Sequence, residues 1–254
     1  MKAIRVRVSI AAAVGLLFLG SQGLARAAAS AAAGAPGSQQ EQEVDPFEKK
    51  GGEAATVPPL PDPIQPVNRA FYHVNDKLYF WLVRPVARGY KAVTPHSLRV
   101  GVRNFFGNLG APSRSVNCLL QGDLRGTGTE LARFAVNTTA GVAGLGDPAR
   151  KWLKLNIRRE DFGQTLGYWG LGMWFYIDWP LIGSSCPRDT VGALVNSAMD
   201  PATYFPGASL VARINNTTFG LGEYEAFKKQ SLDPYVAIRD AYNQNRQFQV
   251  AHWD

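Results

Sequence analysis

The 254-residue chain holds two cysteines and three histidines, and each scarcity removes a class of chemistry. Cys118 and Cys186 are too few for a disulfide framework and are not spaced as zinc ligands. In an oxidising compartment they either pair across the chain between them or sit apart as two buried thiols. None of His73, His96 and His252 lies four residues from another, so no helix can present a paired-histidine metal site. Gly183-Ser184-Ser185-Cys186 gathers hydroxyls and a thiol near Arg188 and Asp189. It lacks the Gly-x-Ser-x-Gly elbow, and no histidine stands near it as a base. The chain is therefore read as no enzyme, with neither cofactor nor metal. Long runs of lysine and arginine are missing too, which argues against a nucleic-acid partner. Strand-like alternation is equally scarce, and the expected fold class is all-α, in a single helical domain.

What is present begins with Lys2, Arg5 and Arg7, then an apolar run from Val8 to Gly20, then small residues ending in Ala25-Arg26-Ala27. This is the order of a secretory signal peptide cleaved after Ala27. The apolar run is shorter than the ~20 residues a membrane-spanning helix needs. Loss of Lys2, Arg5, Arg7 and Arg26 lowers the formal charge of +7 by four, to +3. The remaining basic residues are scattered and suit at most a mild affinity for acidic lipid headgroups. Residues 28–66 are rich in Ala, Gly, Ser, Gln and Pro, with too little apolar surface to offset chain entropy. They are read as a flexible leader, and residues 67–254 as the domain.

Apolar residues at Val67, Phe71, Val74, Leu78 and Trp81 or Leu82 fall at helical period. Leu98, Val102, Phe105 and Leu109 repeat it, with Gly110 and Pro112 as stop signals. Further helices are expected over 124–139, around Val191 to Ala198, through Leu210, Ile214 and Leu221, and through Tyr235, Ile238 and Tyr242. Asp147-Pro148, Asp200-Pro201 and Asp233-Pro234 read as helix starts. Aspartate accepts an orphan backbone N–H at the N-cap, and proline at the first helical position forfeits no bond. Glu160-Asp161 likewise reads as carboxylates at a helix entrance.

Two loops stand out. Residues 166–183 carry six aromatics and a single charge, Asp178. Trp and Tyr join an apolar body to a polar tip and favour the membrane–water boundary, so Trp169, Trp174, Phe175, Tyr176 and Trp179 are candidate membrane contacts. The alternative is a loop packed beneath the helices. The second loop, Gly141-Val142-Ala143-Gly144-Leu145-Gly146, does not match a phosphate-binding pattern. Its glycines permit a tight reversal and a hinge, which makes Gly141, Val142, Gly144, Leu145 and Gly146 a candidate lipid path or gate. A purely structural hairpin is the other reading.

Asp62-Pro63-Ile64-Gln65-Pro66-Val67-Asn68-Arg69 resembles the Asp-Pro-Phe-Glu-x-x-Asn-Arg opening of the MlaA (VacJ) family. The resemblance runs on, in order, through Arg84-Pro85-Val86-Ala87, Gly101-Val102-Arg103-Asn104-Phe105-Phe106-Gly107-Asn108-Leu109 and Val116-Asn117-Cys118-Leu119-Leu120-Gln121-Gly122. It continues through Arg133-Phe134-Ala135-Val136-Asn137-Thr138-Thr139-Ala140-Gly141, Glu160-Asp161-Phe162-Gly163-Gln164-Thr165-Leu166-Gly167, Arg188-Asp189 and Asp233-Pro234-Tyr235. The resemblance implies an outer-membrane, periplasmic-face component of a phospholipid transport system that maintains lipid asymmetry. It also implies a helical ring in the inner leaflet with a central amphipathic channel. The partners it implies are phospholipid, a trimeric porin and a soluble periplasmic lipid carrier. The Gly141–Gly146 hairpin matches the family's channel-side loop. The sequence departs from the family's lipoprotein pattern, because no cysteine precedes Cys118. An envelope protein that docks on porins without moving lipid is the competing reading.

Overall fold

The computed structural model describes residues 57–251. The expected signal peptide and most of the expected leader lie outside them.

Helix α1 (Gln65–Leu78) opens with Pro66 in its first turn. It runs without a break through a π-helical segment, Tyr79–Val83, into α2 (Arg84–Val93). Pro85 explains the widened turn: it has no N–H to donate, and its ring crowds the carbonyl four residues back, so the chain opens before it. Arg84 N–H accordingly bonds the carbonyl of Tyr79, five residues earlier. Next come α3 (His96–Leu109), which stops at Gly110 as its sequence signals predict, and α4 (Ala111–Leu120), with Pro112 in its first turn. Helix α5 (Leu124–Thr139) has the expected span, and Asp123 caps it by accepting from the Gly126 N–H at 2.7 Å.

Short helices α6 (Pro148–Leu153) and α7 (Phe162–Tyr168) are capped by Asp147 and Asp161. Strands β1 (Ile177–Trp179) and β2 (Gly183–Ser185) pair antiparallel, with Asp178 opposite Ser184. Then follow α8 (Pro187–Met199), a 3-10 turn at Pro201–Tyr204 capped by Asp200, α9 (Ala208–Thr217), α10 (Glu223–Gln230) and α11 (Pro234–Ala251). Asp233 accepts from the N–H groups of Tyr235 and Val236, so all three Asp-Pro pairs start helices. Leu221, expected to continue the helix of Leu210 and Ile214, falls instead in the turn before α10.

The fold is all-α with one small β-ribbon. Helix α4 packs on α5, α7 on α8 and α11, α9 on α2 and α3, and α1 on β1. The domain begins earlier than expected. Leu60 is a core residue, the Pro61 carbonyl accepts from Tyr176 N–H, and the Pro58 carbonyl accepts from the Asn243 side chain. The end of the segment read as leader is therefore part of the fold. Its composition hid this, because apart from Leu60 it is anchored through the Pro58 and Pro61 carbonyls and the Asp62 carboxylate, which accepts from Asn68 and Tyr235, rather than through apolar side chains. Both cysteines are buried and unbridged, which decides between the two alternatives for them.

Candidate lipid-handling site

The helical periodicity is real, and in α10 and α11 it turns Tyr224, Phe227, Tyr235, Ile238 and Tyr242 into the core, but in several other helices the apolar stripe faces outward. In α1 the buried residues are Asn68, Tyr72 and Asn75, while Val67 and Val74 are exposed and Trp81, just beyond, is 76% exposed. The same inversion recurs. Helix α3 exposes Leu98 and buries Arg99 and Asn108; α5 exposes Leu124 and Leu131 and buries Glu130, Arg133 and Asn137; α9 exposes Leu210 and Val211 and buries Asn215.

Buried asparagines join the elements by bonding main chain. Asn68 accepts from Asp178 N–H and donates to the Tyr176 carbonyl; Asn75 accepts from Leu181 N–H and donates to the Trp179 carbonyl. These two residues, seven apart on one face of α1, hold the β-ribbon. Asn137 accepts from Ala149 N–H and donates to Asp147, and Asn215 donates to the Arg99 carbonyl. Several charged groups inside are paired. Arg246 of α11 bonds Asp161 and Asp189, and the guanidinium holds both carboxyls below the usual range against the opposing effect of burial.

The glycine hairpin follows α5. The Gly144 and Gly146 N–H groups bond the Asn137 and Gly141 carbonyls at 2.8 and 2.7 Å. Asn104 of α3 donates to the Leu145 carbonyl. Positive φ falls on Gly144, and also on Val142 and Ala143, at 54° and 55°. For Val142, a β-branched residue, this is a strained conformation. Gly141 is needed for a different reason: a Cβ there would lie 2.3 Å from the Asn137 carbonyl oxygen. Only Gly146 has room for a methyl group. The glycines therefore serve close packing more than free hinging, and the tip shows Val142 and Leu145 to the outside.

In the aromatic segment the two alternatives are divided between residues. From Tyr176 to Trp179 the extended chain sends neighbours to opposite sides, whereas Trp169 closes α7 and Trp174 turns outward at a φ of 63°. Trp169, Trp174 and Trp179 present their rings to the outside, with the indole N–H groups of Trp169 and Trp179 bonded to the Leu120 carbonyl and Thr190. Phe175 is half-buried. Tyr176 corrects its expected place as a membrane contact: it is 1% exposed, inside the core cluster with Tyr235 and Tyr242, its hydroxyl 2.8 Å from Ser184.

Asp178, next on that inner side, lines a cavity of about 90 Å³ together with Tyr72, Tyr79, Leu181, Arg213 and Tyr224. Burial pushes its carboxyl up to about 7, opposed only by a hydrogen bond from Asn75. Sequence reading did not single out this cavity. Tyr72 and Tyr79 share a face of the first helix at a spacing of seven, and Asp178 is the lone charge of the aromatic segment. Those were the available signals.

A helical domain that buries amides and ion pairs, turns leucine, valine and tryptophan outward, and encloses a tyrosine-walled cavity belongs to the class of proteins that sit against lipid. Among the described residues no helix is long and apolar enough to cross a membrane. The profile of the MlaA lipoprotein family matches residues 60–249, and the chain belongs to that family. It is 33% identical over 194 residues to the intermembrane phospholipid transport system lipoprotein MlaA of Escherichia coli strain K12, covering 74% of this chain and 77% of that one. An uncharacterized protein of Rickettsia bellii is 35% identical over 198 residues, covering 75% and 77%. A solved structure concerned with maintenance of bacterial outer membrane lipid asymmetry superimposes with a TM-score of 0.67 at 31% identity, covering 74% of this chain and 98% of that one.

Proposed function

We propose that this protein is a phospholipid transport component of the outer membrane that maintains lipid asymmetry. In this reading it takes mislocalised phospholipid through an amphipathic path and passes it to a periplasmic carrier, alongside a trimeric porin. The observation that carries the reading is the inversion of the helices. In water, exposed apolar stripes on helix after helix would be an aggregation hazard; against acyl chains they gain. Packing between helices then loses its hydrophobic drive, and buried polar bonds take its place. Lipid transport of this kind needs polar surface for a headgroup and apolar surface for tails, and no reacting side chain. The strained Val142–Gly144 turn, with Val142 and Leu145 at its tip, is the element we assign to gating. A signal peptide cleaved after Ala27 would deliver the chain, and its apolar helix faces would help to hold it in the leaflet.

The decisive experiment deletes the gene and measures phospholipid exposed in the outer leaflet, with complementation by the intact chain. Accumulation reversed by complementation is expected. Unchanged outer-leaflet phospholipid would refute transport and favour a docking protein.

A further inference from the structure

Asp178 is the one charged residue between Leu166 and Gly183, and the fold removes it from water, leaving it 4% exposed. Its only side-chain contact to a donor is the Asn75 amide at 3.5 Å, the outer limit of a hydrogen bond. It enters none of the ion pairs among the described residues, whereas the other buried carboxylates Glu130, Asp189 and Asp62 each face an arginine. A buried carboxylate of this kind either takes a proton or meets a cation. The space beside it is suited to the second outcome.

Tyr72, Tyr79 and Tyr224 wall the same cavity. Two of these hydroxyls are already committed as donors, Tyr79 to Glu225 at 2.9 Å and Tyr224 to Asp76 at 2.8 Å. What they offer to a guest is ring surface, made more electron-rich by donation to a carboxylate. Asp76 and Glu223 line the cavity as well, but Asp76 is paired with Lys228 and Glu223 is exposed, which leaves Asp178 as its buried, unpaired carboxylate. Aromatic rings around such a carboxylate are the recognition chemistry of an organic ammonium group. Among the described residues no three acidic, histidine or cysteine side chains come together as metal ligands. Arg213 also lines the cavity, donating to the Leu181 carbonyl at 3.0 Å. It supplies positive charge where the phosphate next to an ammonium would lie.

We propose that the cavity receives the ammonium end of a zwitterionic phospholipid headgroup, held by the Asp178 carboxylate among Tyr72, Tyr79 and Tyr224, so that choline- and ethanolamine-type headgroups are favoured over glycerol-type ones. The proposal rests on the lipid-transport reading and adds selectivity to it. The test is calorimetric titration of the full mature chain with two monomeric short-chain lipids, dihexanoyl phosphatidylcholine and dihexanoyl phosphatidylglycerol. Roughly tenfold tighter binding of the choline lipid is expected. Asp178→Asn should abolish that preference by weakening the choline lipid alone, with the circular dichroism spectrum unchanged, and Tyr79→Leu should reduce it. Equal affinity of the wild type for both lipids overturns the headgroup site and leaves transport standing, whatever the variants do. Binding of neither lipid overturns both. Choline chloride displacing the lipid at equal concentration would make this a solute site and overturn the headgroup assignment.

Discussion

Replacing Trp81, Val93 and Leu124 together by serine separates what holds this fold together from what holds it to lipid. The three side chains are 76%, 81% and 71% exposed. Because they touch little of the protein, each serine should change folding stability by no more than about 0.5 kcal/mol. Against a membrane the account reverses. Full burial of such a side chain is worth ~2 kcal/mol, so half-immersion of three contributes about 3 kcal/mol, roughly a hundredfold in partition. Asn68→Leu is the matched control. Asn68 is fully buried and makes three hydrogen bonds, to Asp62, the Tyr176 carbonyl and Asp178 N–H. Its loss leaves buried partners unsatisfied at about 1–3 kcal/mol each. Urea denaturation in mild detergent, followed by circular dichroism, reads stability; flotation with phospholipid vesicles reads partition. The serine triple should melt like wild type and fail to float, and Asn68→Leu should do the opposite. A serine triple that unfolds as early as Asn68→Leu while still floating would refute the inverted packing.

The hairpin yields a cleaner test through Val142 than through its glycines, because a Cβ at Gly144 would press within 2.7 Å of Asn108 and confound gating with stability. Val142→Gly removes ~1–2 kcal/mol of left-handed strain and restores a similar entropy cost, so its melting temperature should match wild type while outer-leaflet phospholipid changes; parallel wild-type values of both would leave the strain without a gating role. The pH profile of stability should carry the mark of Asp178. Its folded-state pKa of about 7 lies above the unfolded value of about 3.9, so its favourable contribution is present in acid and is lost as pH rises from about 4 to 7. Asp178→Asn should flatten that part of the curve, on the order of 1–4 kcal/mol, as measured by denaturation at fixed pH steps, and an unaltered slope would mean the carboxyl ionises freely.

The helices were readable because period, Asp-Pro starts and glycine or proline stops are local, backbone-level signals. Asp123, Asp147 and Asp161 each cap the helix that follows them. Which side of each helix faces inward was not readable from period alone. Val67 and Val74 give the same stripe whether the solvent beyond is protein or lipid, and the decisive clue was the set of asparagines on the opposite face. The widened turn at Tyr79–Val83 was signalled by Pro85, but only its place within a continuous helix turns that proline from a terminator into a π segment. At the candidate site, the glycine hairpin was visible as a composition, while its strain was not, since it rests on Val142 and Ala143 rather than on glycine. The cavity joins residues from α1, the β-ribbon, α9 and α10, and no local window contains it.

An interior joined by asparagine amides and ion pairs also fixes how the protein responds to temperature. The heat-capacity change of unfolding is set by newly wetted apolar surface, positive for apolar area and negative for polar. Here the large buried apolar side chains gather in one region around Tyr176, Tyr235 and Ile238, and beyond it the buried residues are small ones such as Ala87, Ala111 and Cys118 among amides, hydroxyls and charges. In detergent, where the outer stripes stay covered in both states, unfolding should show a heat-capacity increment well below the roughly 12–15 cal/mol/K per residue of ordinary globular proteins. Such a protein has a shallow, broad stability curve: cooling does little to it, and warming erodes it slowly. A calorimetric scan with an ordinary increment would mean that the interior is drier than its side chains indicate.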